Sequence, residues 1–210
     1  MKYDEVCLFL LFLFHICLLQ NIIVYNVRMI GVIILKSEFE VRLLDVDEKS
    51  FIQKIESLGA EFVNKYDQIR YVYDFNPKIE NKWIRLRTDG FKTTLTIKEY
   101  RDASIGGTKE IEIEVSDMKK TDEILNELGY KKRSVQENKR VRYNLDDIEI
   151  DIDTWPHLNT YVEFEGESKE DVLAILQKLE IPLEKTTTMD AQDIYLSKGF
   201  TLEDLNNLKF

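Results

Sequence analysis

Cysteine is almost absent from this chain, which has only two, Cys7 and Cys17, among 210 residues. Both lie in an apolar stretch near the N-terminus, so the rest of the sequence has neither a disulfide framework nor a Cys/His zinc site. A metal ion bound to that part would therefore have oxygen ligands, which are the ligands that Mg²⁺ and Mn²⁺ prefer.

Positive charge is also in the minority, with 29 Lys and Arg against 39 Asp and Glu and a formal net charge of -10. A general nucleic-acid-binding protein would need a basic surface, so we expect no nucleic-acid partner. Local clusters of positive charge on an acidic chain instead indicate a site for a small polyanion. The length is sufficient for one good core, and a single domain is the simplest interpretation.

Residues 1–35 differ in composition from the rest, and 8–19 is nearly continuous Leu, Phe and Ile. A signal peptide is not favoured, because no small-residue cleavage site follows. Two interpretations stay open. Translation could really begin near Met29 or Leu35, or residues 6–27 could form a membrane anchor. In both cases we expect the globular part in the cytoplasm.

The most informative pattern is an alternation of charged and apolar residues, first seen at Glu38, Glu40 and Arg42. Successive side chains on a strand point to opposite faces, so these three share one face. Acidic alternation returns at 110–114, 149–153 and 163–165, and basic alternation at 85–87 and 94–98. One such strand is ordinary in a half-solvated antiparallel sheet, but six of both signs predict a sheet with a charged concave face.

Amphipathic helices are predicted at about 47–58, 117–128 and 169–179. Besides the first charged strand, strands are predicted at 68–75, 82–88, 93–99, 109–115, 137–144, 148–154 and 160–165. Many strands joined by short turns favour an α+β fold, in which an antiparallel sheet closes into a barrel or tunnel with the helices outside.

An internal duplication is also predicted. Leu58-Gly59, Arg70 and Tyr73 recur as Leu128-Gly129, Arg140 and Tyr143 at a constant offset of 70 residues. The two glycines are expected to end the first two helices. The constant offset indicates that a strand–helix–strand unit is used twice.

Charged side chains inside a barrel must pair with one another, with water or with a ligand, because burying one alone is costly. The basic set matches a polyphosphate, since guanidinium groups bind phosphate oxygens in a bidentate way. It comprises Arg42, Arg85, Arg87, Lys98 and Arg140. The acidic set would repel phosphate unless a divalent cation lies between them. It comprises Glu38, Glu40, Asp153, Glu163 and Glu165.

Taken singly, each charged row is more often a solvated strand face with cross-strand pairs. Residues 149–153 also fit an edge strand that is protected by charge. On the basic strands, the remaining large apolar residues are predicted to be core: Trp83, Leu86, Leu95 and Ile97.

In their order along the chain, the motifs resemble those of the CYTH family, the triphosphate tunnel metalloenzymes. Glu38-x-Glu40-x-Arg42 is similar to the Glu-x-Glu-x-Lys signature of that family. The resemblance covers about 37–197, where the later motifs follow in the family's order. They are Arg85/Arg87, Lys98, Glu110/Glu112, Arg140, Asp153 and Glu163/Glu165.

From its own residues, the tail at 199–210 is predicted to be a frayed or packed end. The resemblance implies an eight-stranded antiparallel tunnel at 36–198. It implies Mg²⁺ or Mn²⁺ bound by Glu38, Glu40, Asp153, Glu163 and Glu165, with Glu110, Glu112 and Asp151 in support. It implies a triphosphate bound by Arg42, Arg85, Arg87, Lys98 and Arg140. Arg42 and Asp153 are the residues expected to take part in catalysis.

The preferred function is hydrolysis of a small-molecule triphosphate, such as tripolyphosphate, thiamine triphosphate or a nucleoside triphosphate. Two alternatives stay open: a class IV adenylyl cyclase that makes cyclic AMP and pyrophosphate, and a non-catalytic module that binds polyphosphate or nucleotide. A homodimer is left open, and a membrane is a partner only if residues 1–35 form an anchor.

The sequence departs from the family pattern at two positions. Arg42 replaces the signature lysine, which keeps the positive charge but excludes a role as a base. Asn138 replaces the family's usual lysine two positions before Arg140, and Lys139 lies on the opposite face of the strand. The second change removes one positive group from the tunnel.

Overall fold

The computed structural model describes residues 35–210. The interpretations of the apolar N-terminal segment concern residues outside this range. Within the range, no helix is both long enough and apolar enough to cross a membrane.

Eight strands form a closed antiparallel barrel, as the sequence predicts. They are β1 (Lys36–Leu43), β2 (Glu61–Asp74), β3 (Lys82–Thr88), β4 (Thr93–Tyr100), β5 (Thr108–Val115), β6 (Lys132–Leu145), β7 (Ile148–Thr154) and β8 (Tyr161–Gly166). Around the barrel the order is β6-β2-β3-β4-β5-β1-β8-β7, and β7 pairs back with β6 to close it. Two short strands add to this sheet, β9 (Thr186–Thr187) on β1 and β10 (Asn207–Leu208) on β6.

The strands β2 and β6 are longer than predicted, since the expected ranges 68–75 and 137–144 cover only about half of each. Both strands have 14 residues, and they pair along most of their length. A register shift between Phe62 and Asn64 disturbs the alternation in the first half of β2. A break of this kind hides a strand from a search for period-two patterns.

The described residues contain four α-helices: α1 (Glu48–Ser57), α2 (Met118–Glu127), α3 (Lys169–Lys178) and α4 (Ala191–Ser197). The first three are the predicted ones, and α4 was not predicted. Asp47 and Asp117 cap α1 and α2, because each side chain accepts a hydrogen bond from the backbone N–H three residues later. Gly59 and Gly129 end these helices at φ +94° and +89°, a backbone conformation that favours glycine.

The apolar core lies between the barrel wall and the helices. The helices α1 and α3 pack on the outer faces of β1, β7 and β8, where Ile55, Phe164 and Val172 are fully buried. The helix α2 places Leu125 against Tyr73 and Leu86. Burial of each such side chain contributes about 1.5–3 kcal/mol. Because hydrocarbon occupies the outside of the wall, the interior is left to polar side chains.

The tail is packed rather than frayed. Leu205 and Leu208 are buried in a cluster with Trp155 and Tyr195, and β10 pairs with β6 in parallel. The tail and α4 therefore cover part of the barrel.

A charged cavity inside the barrel as the candidate active site

The barrel encloses a cavity of about 590 Å³ that is lined mainly by charged side chains. Every basic residue predicted for the site lines it, and so do all the predicted carboxylates except Asp151 and Asp153. Groups that are far apart in the sequence thus converge on one space.

The lining is divided by charge into two arcs of neighbouring strands. A basic arc on β6, β2, β3 and β4 carries Arg70, Arg85, Arg87, Lys98, Arg140 and Arg142. An acidic arc on β5, β1, β8 and β7 carries Glu38, Glu40, Glu110, Glu112, Glu149, Glu163 and Glu165. Such a cavity suits a ligand that combines phosphate groups with a cation.

Three members of the acidic arc, Glu40, Glu163 and Glu165, form a carboxylate triad whose oxygens lie within 4.8 Å of one another. Burial, followed by the charges of Glu163 and Glu40, raises the pKa of Glu165 to about 8. Burial also raises the pKa of Glu40, although the Arg42 guanidinium opposes the shift. Glu40 and Glu165 therefore resist ionisation. A bound hard cation would stabilise their ionised form.

Arg42 lies among these carboxylates and belongs to the acidic arc. Its Nη2 donates to Glu40 Oε1 at 2.8 Å and also ion-pairs with Glu163, while its Nη1 donates to the Met189 carbonyl at 2.9 Å. Burial opposes ionisation of Glu163, yet the guanidinium groups of Arg42 and Arg140 hold the pKa of Glu163 well below its usual range. Arg42 thus keeps one triad member ionised.

Glu38 on β1 and Lys98 on β4 are paired with each other inside the cavity. The Lys98 ammonium donates to both Glu38 oxygens, at 2.7 and 2.8 Å, and both side chains are buried. The predicted metal ligand and the predicted phosphate contact therefore neutralise each other in this structure.

Arg85 and Arg87 share a counter-ion. Glu112 Oε2 lies 3.2 Å from Arg85 Nη2 and 3.8 Å from Arg87 Nη2, and it accepts a hydrogen bond from Thr96 Oγ1 at 2.7 Å. Glu110 lies 3.8 Å from Arg85. Both carboxylates support the basic arc, and Glu112 is shared between two guanidinium groups.

Asp151 and Asp153 hold arginines from behind rather than lining the cavity. Asp153 is 0% exposed and accepts two hydrogen bonds from Arg140, both at 2.7 Å. Asp151 accepts two from Arg142, also at 2.7 Å. Bidentate pairs of this kind fix the plane of the guanidinium group. The assignment of Asp153 to the metal stays a prediction.

Sequence reasoning missed Arg70, a buried member of the basic arc. Its Nη2 donates to Gln68 Oε1 at 2.8 Å and to Asn138 Oδ1 at 2.6 Å, and its guanidinium lies 4.4 Å from the centre of a Trp155 ring. The offset of 70 residues that relates it to Arg140 was the signal that could have identified it.

The prediction that Trp83 belongs to the core is wrong. Trp83 lies two residues before Arg85 and hence on the same face of β3, and it lines the cavity half-buried. Leu86 is fully buried in the core, with Leu95 and Ile97 partly buried against it, as predicted.

Solved structures with the same fold come from several organisms. They include the PH1012 protein of Pyrococcus horikoshii OT3, at 24% identity over 71% of this chain and 93% of that one, with a TM-score of 0.63. A proposed adenylate cyclase from Vibrio parahaemolyticus is 13% identical over 78% of this chain and 99% of that one, with a TM-score of 0.66. HpAC1 from Hippeastrum is a proposed adenylyl cyclase described as having a dominant triphosphatase activity. It is 17% identical over 80% of this chain and 99% of its own, with a TM-score of 0.56.

A comparison with curated proteins gave no match. The family model of the CYTH domain, in contrast, matches residues 36–193, which is most of the chain and includes every strand of the barrel. The closed eight-stranded barrel and its charged interior agree with that match. This chain therefore belongs to the CYTH domain family.

Proposed function

We propose that this protein is a divalent-metal-dependent triphosphatase that hydrolyses a phosphoanhydride bond of a small-molecule triphosphate. One observation carries the proposal: the carboxylate triad and the basic arc line the same cavity of about 590 Å³. A metal–triphosphate complex has both of the charges that this lining would neutralise.

The triad fits a hard cation such as Mg²⁺ or Mn²⁺. It offers only carboxylate oxygens, at 4.8 Å or less from one another, and Glu38 stands two positions before Glu40 on the same face of β1. A divalent cation held by Glu40, Glu163 and Glu165, next to Glu38, would act as a Lewis acid that neutralises phosphate oxygens.

The basic arc supplies positive charge for the phosphate groups that the cation does not neutralise. Arg85, Arg87 and Arg140 line the cavity. They would bind and orient the phosphate chain, and they would stabilise the charge that develops on the leaving phosphate. Arg140 is held in one orientation by its two hydrogen bonds to Asp153. We therefore assign Asp153 the role of positioning Arg140. Lys98, also in the basic arc, would contact the phosphate chain when a ligand competes with Glu38 for its ammonium group.

Hydrolysis is favoured over other outcomes by one comparison. HpAC1 from Hippeastrum, which has the same fold, is described as having a dominant triphosphatase activity.

A second candidate is the adenylyl cyclase reaction, for which Trp83 would offer a surface for the base. The indole lines the cavity, and Trp83 is the register partner of Lys98 on β4. An aromatic ring beside a cationic group is suited to stack on a base whose phosphates lie further inside. The same feature suits hydrolysis of any triphosphate that carries an aromatic group.

The test is an assay of phosphate release and cyclic AMP formation with tripolyphosphate, thiamine triphosphate and ATP. Mg²⁺ and Mn²⁺ are compared, with EDTA as the blank. We expect phosphate release that requires metal, and a loss of about 100-fold or more in kcat for Glu40→Gln and Glu165→Gln. The exposed Arg101→Gln is the control and should have the activity of the parent protein.

Cyclic AMP as the main product of ATP would replace hydrolysis with the second candidate. Tight binding of tripolyphosphate without any turnover would instead favour the non-catalytic module.

A further inference from the structure

Arg70 is a buried arginine that no carboxylate neutralises. Its exposed fraction is 8%. Each of the other arginines that line the cavity has a carboxylate oxygen at 3.8 Å or less: Arg42, Arg85, Arg87, Arg133, Arg140 and Arg142. Among residues 35–210, Arg70 alone in this lining has no such partner. A buried charge without a counter-ion is costly, so it calls for an anion.

The surroundings of Arg70 are themselves positive. Arg70 is the direct register partner of Arg87 on β3, so two like charges lie side by side on neighbouring strands. Burial, and then the charges of Arg85, Arg87 and Arg140, lower the pKa of Arg70 to about 9. Arg70 is still protonated at neutral pH, and the repulsion within this group of guanidiniums is therefore present in the ligand-free protein.

Neutral groups hold Arg70 in place. It donates to Gln68 and Asn138, and it stacks on Trp155, while its Nε is buried and has no hydrogen-bond partner. Asn138 in turn donates to Asp153 at 3.3 Å, so a neutral amide lies between Arg70 and this buried carboxylate. The guanidinium is thus fixed in position and left unneutralised.

We infer that Arg70 binds a phosphate group of the triphosphate together with Arg85 and Arg87, and supplies the positive charge that Asn138 does not. The identity of the anion rests on the proposed function. The contact between Asn138 and Arg70 places the arginine charge beside the neutral amide, which stands where the resemblance implies a lysine. Guanidinium forks contact phosphate oxygens directly, so this phosphate needs no metal ion.

The experiment measures binding of tripolyphosphate by calorimetry in EDTA, where metal-dependent turnover cannot occur. We expect Arg70→Gln to raise Kd by about 10- to 100-fold, because a charge-assisted contact is lost. The Kd of Arg70→Lys should lie between those of the parent protein and Arg70→Gln. Arg101→Gln removes an exposed guanidinium that does not line the cavity and should leave Kd unchanged. Adding Asn138→Lys to Arg70→Gln returns a cation to the neighbouring position and should recover part of the affinity.

Thermal unfolding separates this role from a structural one. If Arg70 is an unneutralised cation, ligand-free Arg70→Gln unfolds at the same or a higher temperature than the parent protein, and tripolyphosphate stabilises it less. An Arg70→Gln protein that is less stable or does not fold would overturn the inference, as would an unchanged Kd or a parent protein that does not bind tripolyphosphate in EDTA.

The outcome is also distinct from a failure of the proposed function. Arg70-dependent binding without phosphate release would leave the inference standing and remove hydrolysis. Metal-dependent hydrolysis with an unchanged KM in Arg70→Gln would leave hydrolysis standing and remove the inference.

Discussion

Glu40 on β1 and Glu165 on β8 are direct partners in the antiparallel register. The charges that act most strongly on Glu165 are all carboxylates, those of Glu163, Glu40, Glu149 and Glu38. Like charges that face each other on neighbouring strands destabilise a sheet. The ligand-free barrel therefore carries an electrostatic cost at this point, which a cation would remove.

The pH dependence of stability follows from the raised pKa of Glu165. A carboxyl whose folded pKa is about 8 binds its proton more tightly in the folded state, where an unfolded Glu has the ordinary value of 4.5. Its stabilising contribution is complete below pH 4.5 and is lost as the pH rises through about 8. In EDTA, we expect Tm of the parent protein to fall between pH 5 and about pH 9, at about 2–4 °C for each kcal/mol lost.

Glu165→Gln should remove much of this slope, because the amide cannot ionise. At pH 8.5 we expect this variant to be more stable than the parent protein in EDTA, by about 4 °C or more. Differential scanning calorimetry at several pH values measures both the slope of Tm with pH and the difference in Tm at pH 8.5. Equal slopes for the two proteins would contradict the assignment of this titration to Glu165.

Metal binding should reverse the loss of stability that the ionised Glu165 causes at high pH. At pH 8, Mn²⁺ at about one hundred times its Kd is expected to stabilise the parent protein by about 2.7 kcal/mol. Glu165 must lose its proton to bind the ion, so binding should release protons and weaken as the pH falls below 8. Calorimetric titrations in two buffers of different ionisation enthalpy measure the release. Glu165→Gln should release fewer protons and bind Mn²⁺ more weakly, and an unchanged variant would rule out the triad as the metal site.

The buried pair of Glu38 and Lys98 predicts a strong coupling. Lys98→Met leaves the Glu38 carboxylate buried without its 2.7 Å partner, which should reduce the free energy of unfolding by about 3–5 kcal/mol. Adding Glu38→Gln should restore most of the loss, because no unpaired charge remains. Lys36→Met, which breaks the exposed pair with Glu167, serves as the control and should cost less than about 1 kcal/mol. Additive effects of the two buried substitutions in urea unfolding would contradict the pairing.

The sequence predicted most of the charged side chains inside the barrel, because the strand period is two residues, whatever the partner strand is. Charged residues at alternate positions of β1, β3, β5 and β8 therefore indicated a row of side chains facing the interior, even without the order of the strands in the sheet. It did not predict which charges pair. Lys98 contacts Glu38 because β1, β5 and β4 are neighbours at a particular register, which is a property of the closed sheet.

Arg70 and the C-terminal part were missed for different reasons. The neighbours of Arg70 on the same strand face, Gln68 and Val72, are uncharged, so no charged row marked it. The short helix α4 and the strand β10 depend on packing against Trp155 and β6, and their own sequences have too few residues for a periodic pattern.

Asp153 offers the clearest separation of a positioning role from a metal ligand. It is 0% exposed, and both of its oxygens accept hydrogen bonds from Arg140 at 2.7 Å. Asp153→Asn keeps the shape but removes the charge and one acceptor, so we expect a loss of about 3–5 kcal/mol in the free energy of unfolding. We also expect Kd for tripolyphosphate in EDTA to rise about tenfold, because Arg140 is no longer held in one orientation. Affinity for Mn²⁺ should stay that of the parent protein, and Asp67→Asn, an exposed change on β2, should alter none of the three. A fall in Mn²⁺ affinity with unchanged tripolyphosphate binding would make Asp153 a metal ligand and would leave the orientation of Arg140 to Asp151 and Glu163.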